Sequence, residues 1–404
     1  MAAQWTDDPR VFAWARHAEG ELDAVPLARL AEQARTDLGP EAGRAALMLA
    51  RVWRKQREKF PTWHEFCADT IAAEQASGER AALWRAVRFA GCARVLDLAC
   101  GAGGDTIALS RVAAAVVAVD RDIERLRWAR CNVRRYGRPE RVRFLCADVA
   151  GTLPDADAAV LDPDRRSLPG ARAVRPAGYS PPPEVWERIR LRVGNLAVKV
   201  APGIPYEDIP SAARAEFIED RGECREAVLW FGDLGPRART ATVLPASLTA
   251  ASPGPPMAAA PPMAATIDET EVEGAAIGPV DAFIYDPGPA AVRAHLVRQL
   301  ASRLDAHRLD AEVAYLSGPR GATTPFAATF AVEEVWPFHL GRLRALLRER
   351  GIGALEIRAR RFPIRPDDLR RMLHLAGERE ATLVCTRIAD APTVILCRRV
   401  REDG

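Results

Sequence analysis

The segment Val95-Leu96-Asp97-Leu98-Ala99-Cys100-Gly101-Ala102-Gly103-Gly104-Asp105-Thr106 constrains this chain more than any other. A short apolar run enters a glycine-rich turn and then helix-compatible sequence. Glycines there let the backbone approach a ligand that any Cβ would displace. From residue 94 onward short apolar runs alternate with helical stretches, which predicts βαβ units and a parallel sheet. The spacing predicts strands over 95–98, 116–119, 142–145, 158–161 and 196–200, with helices near 106–111, 123–135 and 183–190. After residue 200 come apolar runs at 217–218, 227–231 and 241–244, closer to antiparallel strands than to further crossovers. The expected fold is α/β, a doubly wound, mostly parallel sheet.

The chain has 404 residues, more than one core usually holds. Its 48% hydrophobic and 27% charged residues exclude global disorder. Residues 1–90 carry helix-period patterns and predict a helical N-terminal segment; residues 91–245 hold the sheet. Residues 246–280 include Pro/Ala-rich sequence such as Pro253-Gly254-Pro255-Pro256 and read as a linker or insertion. Residues 281–404 form a C-terminal α+β domain, with helices expected over 289–304, 340–350 and 366–373. Its strands are expected over 313–316, 330–335, 354–358, 381–388 and 393–397.

The net charge is only +3, so attraction to a polyanion requires local clustering. Lysine supplies just three of 57 basic residues, Lys55, Lys59 and Lys199, which reads as a compositional bias toward arginine. One basic cluster, Arg51 to Lys59, fits either a solvated helix face or a substrate contact. Lys199 ends a strand facing the expected ligand crevice and reads as a structural lysine that snorkels to solvent. Eight dispersed cysteines without a CxxC pair argue against a disulfide framework or structural zinc, and read as small core residues. The six histidines show no metal-ligand spacing, so no metal is expected. Residues 1–19 lack the apolar stretch of a signal peptide, and no run reaches the roughly 18 apolar residues of a membrane span. These features predict a cytoplasmic, soluble protein; the oligomeric state is open.

Two cofactor classes use a strand, glycine turn and helix in this order. A dinucleotide fingerprint needs a third glycine where this chain has Thr106, and Asp97 would repel a pyrophosphate. The same carboxylate suits the ammonium and sulfonium end of S-adenosylmethionine. Asp120 ends the next apolar run, 19 residues after Gly101, where a carboxylate can accept ribose hydroxyls. Asp148 follows the third strand, placed either to reach an adenine amino group or to cap a turn. Expected cofactor-binding residues are therefore Asp97, Ala99, Gly101, Gly103, Asp105, Thr106, Asp120 and Asp148.

The run from Val95 to Val149 resembles a class I S-adenosylmethionine-dependent methyltransferase. Within it Cys100-Gly101-Ala102-Gly103-Gly104-Asp105-Thr106, Asp120, Ala129-Arg130-Cys131-Asn132, Tyr136-Gly137 and Phe144-Leu145-Cys146-Ala147-Asp148 are similar to the trimethylguanosine synthase branch. Tyr285-Asp286-Pro287, Ala314-Tyr315-Leu316-Ser317-Gly318 and Leu346 to Gly353 resemble a THUMP-like domain. True THUMP modules occur in tRNA-modifying enzymes, so the resemblance implies an RNA partner. In amino-methylating relatives the end of the fourth strand holds a polar residue, two prolines and an aromatic. Asp162 and Pro163 match that pattern, which implies that Asp162 accepts a hydrogen bond from the target amine. Asp164 and Arg165 depart from it, leaving no aromatic to stack on a base; Arg165 and Arg166 can instead stack on a base or pair with phosphate.

Residues 342–371 hold ten arginines against four acids, including Arg358, Arg360 and Arg361 on an expected strand. Such a cluster can neutralise phosphates. The expected activity is methyl transfer from S-adenosylmethionine to a nucleobase nitrogen of RNA. A small-molecule methyltransferase, or a catalytically inactive cofactor-binding RNA-binding protein, are the alternatives.

Overall fold

A computed structural model of the protein describes residues 5, 7–165, 173–245, 248, 264–270 and 275–400. The chain divides into two compact units: Met1–Arg221 with Arg225–Arg237 and Leu244–Ala264, and Gly222–Cys224 with Ala238–Val243 and Ala265–Gly404.

The first unit opens with helices α1 (Pro9–Glu21), α2 (Leu27–Leu38), α3 (Pro40–Gln56), α4 (Thr70–Gln75) and α5 (Glu79–Ala86). Asp8 caps α1 by accepting from the Arg10 amide, and Pro9 occupies the first helical position, where its missing N–H costs nothing. The α2–α3 packing demands glycine at 43: a Cβ there would lie 2.5 Å from the Ala34 carbonyl oxygen. Between α3 and α4 the buried rings of Phe60 and Phe66 stack at 4.2 Å.

The sheet follows as β1 (Arg94–Leu98), α6 (Gly104–Val112), β2 (Ala115–Asp120), α7 (Ile123–Tyr136), β3 (Val142–Cys146), β4 (Ala158–Leu161), α8 (Pro183–Val193), β5 (Asn195–Val200), β6 (Arg214–Asp220) and β7 (Glu223–Phe231). Its order runs β3-β2-β1-β4-β5-β7-β6. The first five strands pair in parallel and β7 joins β5 antiparallel. The strand order reverses beside β1, the place where open α/β sheets take ligands at their carboxyl ends. Side chains of α1, α3 and α5 share one buried core with β1, β2 and β4, so the helical segment and the sheet exclude water together.

The second unit contains the antiparallel pair β8 (Thr240–Val243) and β9 (Ala265–Asp268). It continues with β10 (Phe283–Pro287), α9 (Pro289–Arg293), α10 (Val297–Arg303), β11 (His307–Asp310), β12 (Val313–Gly318), β13 (Ala327–Pro337), α11 (Leu340–Glu349), β14 (Ile352–Ala359), α12 (Pro366–Leu373), β15 (Arg379–Ile388) and β16 (Ala391–Arg399). These strands form a seven-stranded sheet in the order β11-β12-β10-β13-β16-β15-β14, with only β14 and β15 parallel.

The doubly wound sheet stands as expected. The helix expected over 289–304 is two helices, because His295 takes a left-handed backbone (φ 53°) that breaks the ladder between them. β14 ends at Ala359, so Arg360 and Arg361 lie beyond it and not on it. Of the cysteines, Cys67, Cys100, Cys131, Cys385 and Cys397 are buried, whereas Cys146 is exposed.

Candidate functional site

Beyond β1 the backbone turns left-handed three times in five residues, at Ala99 (φ 57°), Gly101 (φ 56°) and Gly103 (φ 86°). Ala99 takes this conformation without the glycine exemption, at a local cost of roughly 1–2 kcal/mol. The turn aims the Gly101 amide at Asp120, which accepts it at 2.9 Å through Oδ2 while Oδ1 accepts the Asp122 amide at 2.9 Å. Asp120 is thereby fixed at the end of β2 with lone pairs still facing the crevice.

The glycines serve different ends. A Cβ at 101 would meet nothing nearer than an Arg125 nitrogen at 3.8 Å, so that space belongs to the crevice. A Cβ at 103 would lie 2.9 Å from the Ala129 Cβ, so Gly103 is required by the packing of α7.

A pocket of about 380 Å³ opens over this turn, walled by Asp97, Ala99, Gly101, Asp105, Asp120, Asp148, Asp162, Pro163 and Arg165, among others. Gly103 and Thr106 are not on its wall. Thr106 instead donates its hydroxyl proton to Asp97, which is 1% exposed. Burial, and then the nearby Asp105 charge, push the Asp97 carboxyl up to about 8. Asp148 accepts the Ala150 amide at 2.8 Å, the turn cap left open by its sequence, and also lines the pocket.

Beneath the turn lies a buried charge network. Asp105 accepts from Arg85 and from Ser77, and Arg85 also pairs with Glu226. Burial works against the Asp105 carboxylate, but the Arg85 and Lys199 charges prevail and hold it well below its ordinary value. Lys199 on β5 donates to Asp162 Oδ2 and to Ser77, and stands 3.5 Å from Asp105. It is 6% exposed, which corrects the expectation of a snorkelling end: three oxygen partners offset the loss of water.

Asp162 follows β4, anchored by its amide to the Leu98 carbonyl at 3.2 Å. Asp164 exchanges both backbone hydrogen bonds with Ser180, at 2.8 and 2.9 Å, and its carboxylate accepts from Gln75 at 3.3 Å. Gln75 accepts in turn from Arg125 at 2.8 Å. Arg166 lies outside the described residues. The described wall residues include no aromatic, but they do include Pro181 and Pro182.

Glu74, Gln75 and Ser77 on the wall, and Arg85 beneath it, come from the N-terminal helical segment and are not foreseen from sequence. A weak signal exists: Glu79, Arg80 and Arg85 are charges on a helix that proves buried on nearly every side.

In the second unit Arg360 holds the buried Asp286 at 2.8 Å and the Pro287 carbonyl at 2.9 Å, and Arg358 pairs with Glu356 at 2.7 Å and Asp286 at 3.6 Å. Arg361 pairs with Glu312. All three arginines therefore have carboxylate partners within the unit. Among the described residues no group of three or more His, Cys, Asp or Glu is arranged to hold a metal, and no helix is long and apolar enough to cross a membrane.

The donor set fits S-adenosylmethionine. Asp97 is a desolvated carboxyl to which no cation bonds among the described residues, and Asp120 keeps lone pairs toward the crevice beside a turn where a Cβ is missing. Fold and site together define a class I methyltransferase. A profile of the RNA cap guanine-N2 methyltransferase family matches residues 92–165, and one for a THUMP domain-like family matches residues 327–399. S-adenosylmethionine-dependent methyltransferases from two strains of Mycobacterium tuberculosis are 35% identical over 342 residues, covering 82% of this chain and 88% of theirs. A crystal structure from Porphyromonas gingivalis, assigned to the methyltransferases, has the same fold, with a TM-score of 0.75 at 20% identity over 98% of this chain and 99% of that one. The chain belongs to the S-adenosylmethionine-dependent methyltransferases.

Proposed function

We propose that the protein methylates a nucleobase nitrogen of a structured, tRNA-like RNA in the cytoplasm. The observation that carries this is Asp162, a carboxylate at the end of β4 on the wall of the same pocket as Asp97 and Asp120. Bound S-adenosylmethionine supplies an electrophilic methyl group on its sulfonium. Asp97 faces the cationic end, Asp120 the ribose hydroxyls and Asp148 the adenine side. Asp162 accepts a hydrogen bond from the incoming amine and holds its lone pair in line. Pro163, Pro181 and Pro182 shape the base slot in place of an aromatic, and Arg165 meets the nucleotide. In this reading residues 1–90 supply a pocket wall, 91–245 the cofactor site and 281–404 an RNA-binding surface; of the linker expected at 246–280, the stretch with β9 (Ala265–Asp268) belongs to the second unit. The RNA cap and THUMP-like profiles support an RNA substrate.

One observation favours a second reading, a small cationic amine as methyl acceptor: the pocket wall carries more carboxylates than guanidiniums. Incubating the protein with methyl-labelled S-adenosylmethionine and total RNA from a strain lacking the gene decides between them. Label in a digested nucleoside is expected. Unlabelled RNA alongside labelled small amines from the same extract removes the RNA reading. A protein that binds the cofactor and labels neither is the inactive RNA-binding alternative.

A further inference from the structure

Lys199 is a buried ammonium placed next to the candidate acceptor group, and what it does there is not explained by charge neutralisation alone. β4 and β5 pair in parallel with Leu161 opposite Val198, so Asp162 and Lys199 are the next neighbours across the sheet. The three protons of an ammonium have three oxygens to serve: Asp162 Oδ2, Ser77 Oγ and, at 3.5 Å, Asp105 Oδ2. Asp105 is already held by the Arg85 guanidinium, whose own position is set by Glu226. Lys199 therefore serves two carboxylates, and the nearer of them is Asp162. Burial alone would lower the Lys199 pKa, but the Asp162 and Asp105 charges outweigh it and keep the ammonium protonated.

We infer that Lys199 is the positioning residue for Asp162, fixing the plane of its carboxylate so that Oδ1 alone is offered to the methyl acceptor. This rests on the reading of Asp162 as hydrogen-bond acceptor for the target amine. Ser77, from the stretch between α4 and α5, completes the arrangement by accepting from Lys199 and donating to Asp105, so the ammonium cannot turn away from Asp162. The helical segment thus reaches the acceptor at second hand, through a hydroxyl and an ammonium.

A kinetic double-mutant cycle tests this with the full-length protein, labelled S-adenosylmethionine and total RNA from a strain lacking the gene. Lys199→Met should lower kcat on the order of 100-fold, the scale of a small misplacement of reacting groups, with cofactor affinity held. Lys199→Arg, which keeps the charge, should recover most of that loss. In an Asp162→Asn background Lys199→Met should cost less than about twofold, because the two act as one unit. A merely structural lysine would cost the same factor in both backgrounds, and that result overturns the inference. Asp162→Asn at the parental rate overturns the acceptor reading itself, and the inference with it; the two failures are distinguished by which variant shows them. Should Lys199→Met fail to bind cofactor, Lys199→Gln, which keeps a donor toward Asp162 without charge, takes its place in the cycle. A loss confined to the Asp162 background then supports the inference, and an equal loss in both backgrounds overturns it.

Discussion

The Thr106 hydroxyl, in the first turn of α6, donates to Asp97 on β1, and both side chains are buried. Among the described residues no cation bonds Asp97 directly, so the folded protein holds a proton there that an unfolded chain gives up at low pH.

That proton gives the first prediction. Asp97 rises from 3.8 to about 8 on folding, so its contribution to stability is complete below 3.8 and is lost as pH climbs toward 8. A cationic ligand end favours the ionised form. Binding of S-adenosylmethionine should release about one proton near pH 6 and almost none by pH 9, and affinity should rise over that interval. Calorimetry in buffers of different ionisation heat measures the count; equal heats at pH 6 would take Asp97 out of the cofactor site.

Asp120→Ala removes the acceptor of the Gly101 and Asp122 amides as well as the lone pairs facing the pocket. Cofactor affinity should fall by about 1.5–3 kcal/mol, the scale of hydrogen bonds to a charged group. Isothermal titration reads this directly, and an unchanged Kd means that the ribose sits elsewhere.

Arg85→Met leaves Asp105 and Glu226 without the guanidinium that both use in the core. Breaking a buried pair by removing one partner costs about 3–5 kcal/mol, so the denaturant midpoint should drop steeply. Arg85→Met with Glu226→Gln should drop it less, since Glu226 then no longer places a charge beside the missing guanidinium; additive losses would show that the network is not coupled.

Arg358, Arg360 and Arg361 are each ion-paired, which sets the outcome expected of their removal. Replacing all three with Ala should flatten the salt dependence of RNA binding by less than the roughly 0.7–0.9 units per phosphate contact expected of free cations. Stability should fall instead, because Asp286 is only 8% exposed and loses its partners. A full three-contact flattening, with the melting temperature kept, would mean that these arginines release their carboxylates to bind RNA.

The strands β1 to β5 are legible in the sequence because each is a short apolar run between turn signals, and the glycine turn is legible because its pattern is local. β10 is hidden for a physical reason: Asp286 and Pro287 are poor strand residues, yet the strand sits between β12 and β13, where Asp286 is held by Arg360. The left-handed break at His295 leaves no mark in composition. The role of Gln75, Ser77 and Arg85 is hidden because their partners, Asp164, Lys199, Asp105 and Glu226, are set by the fold and not by spacing along the chain. Asp97 and Asp120 stand out because strand-end carboxylates can be counted from the turn itself.

Arg85 and Glu226 stand 141 positions apart, and Ser77 and Lys199 stand 122 apart. A chain leaving the ribosome therefore carries Arg85 long before its second carboxylate exists, and the floor beneath the glycine turn closes only when β5 and β7 have both docked. No nascent fragment ending before β7 can hold that floor together. The floor of the pocket thus depends on residues spread from Ser77 to Glu226, and a truncation ahead of β7 removes it.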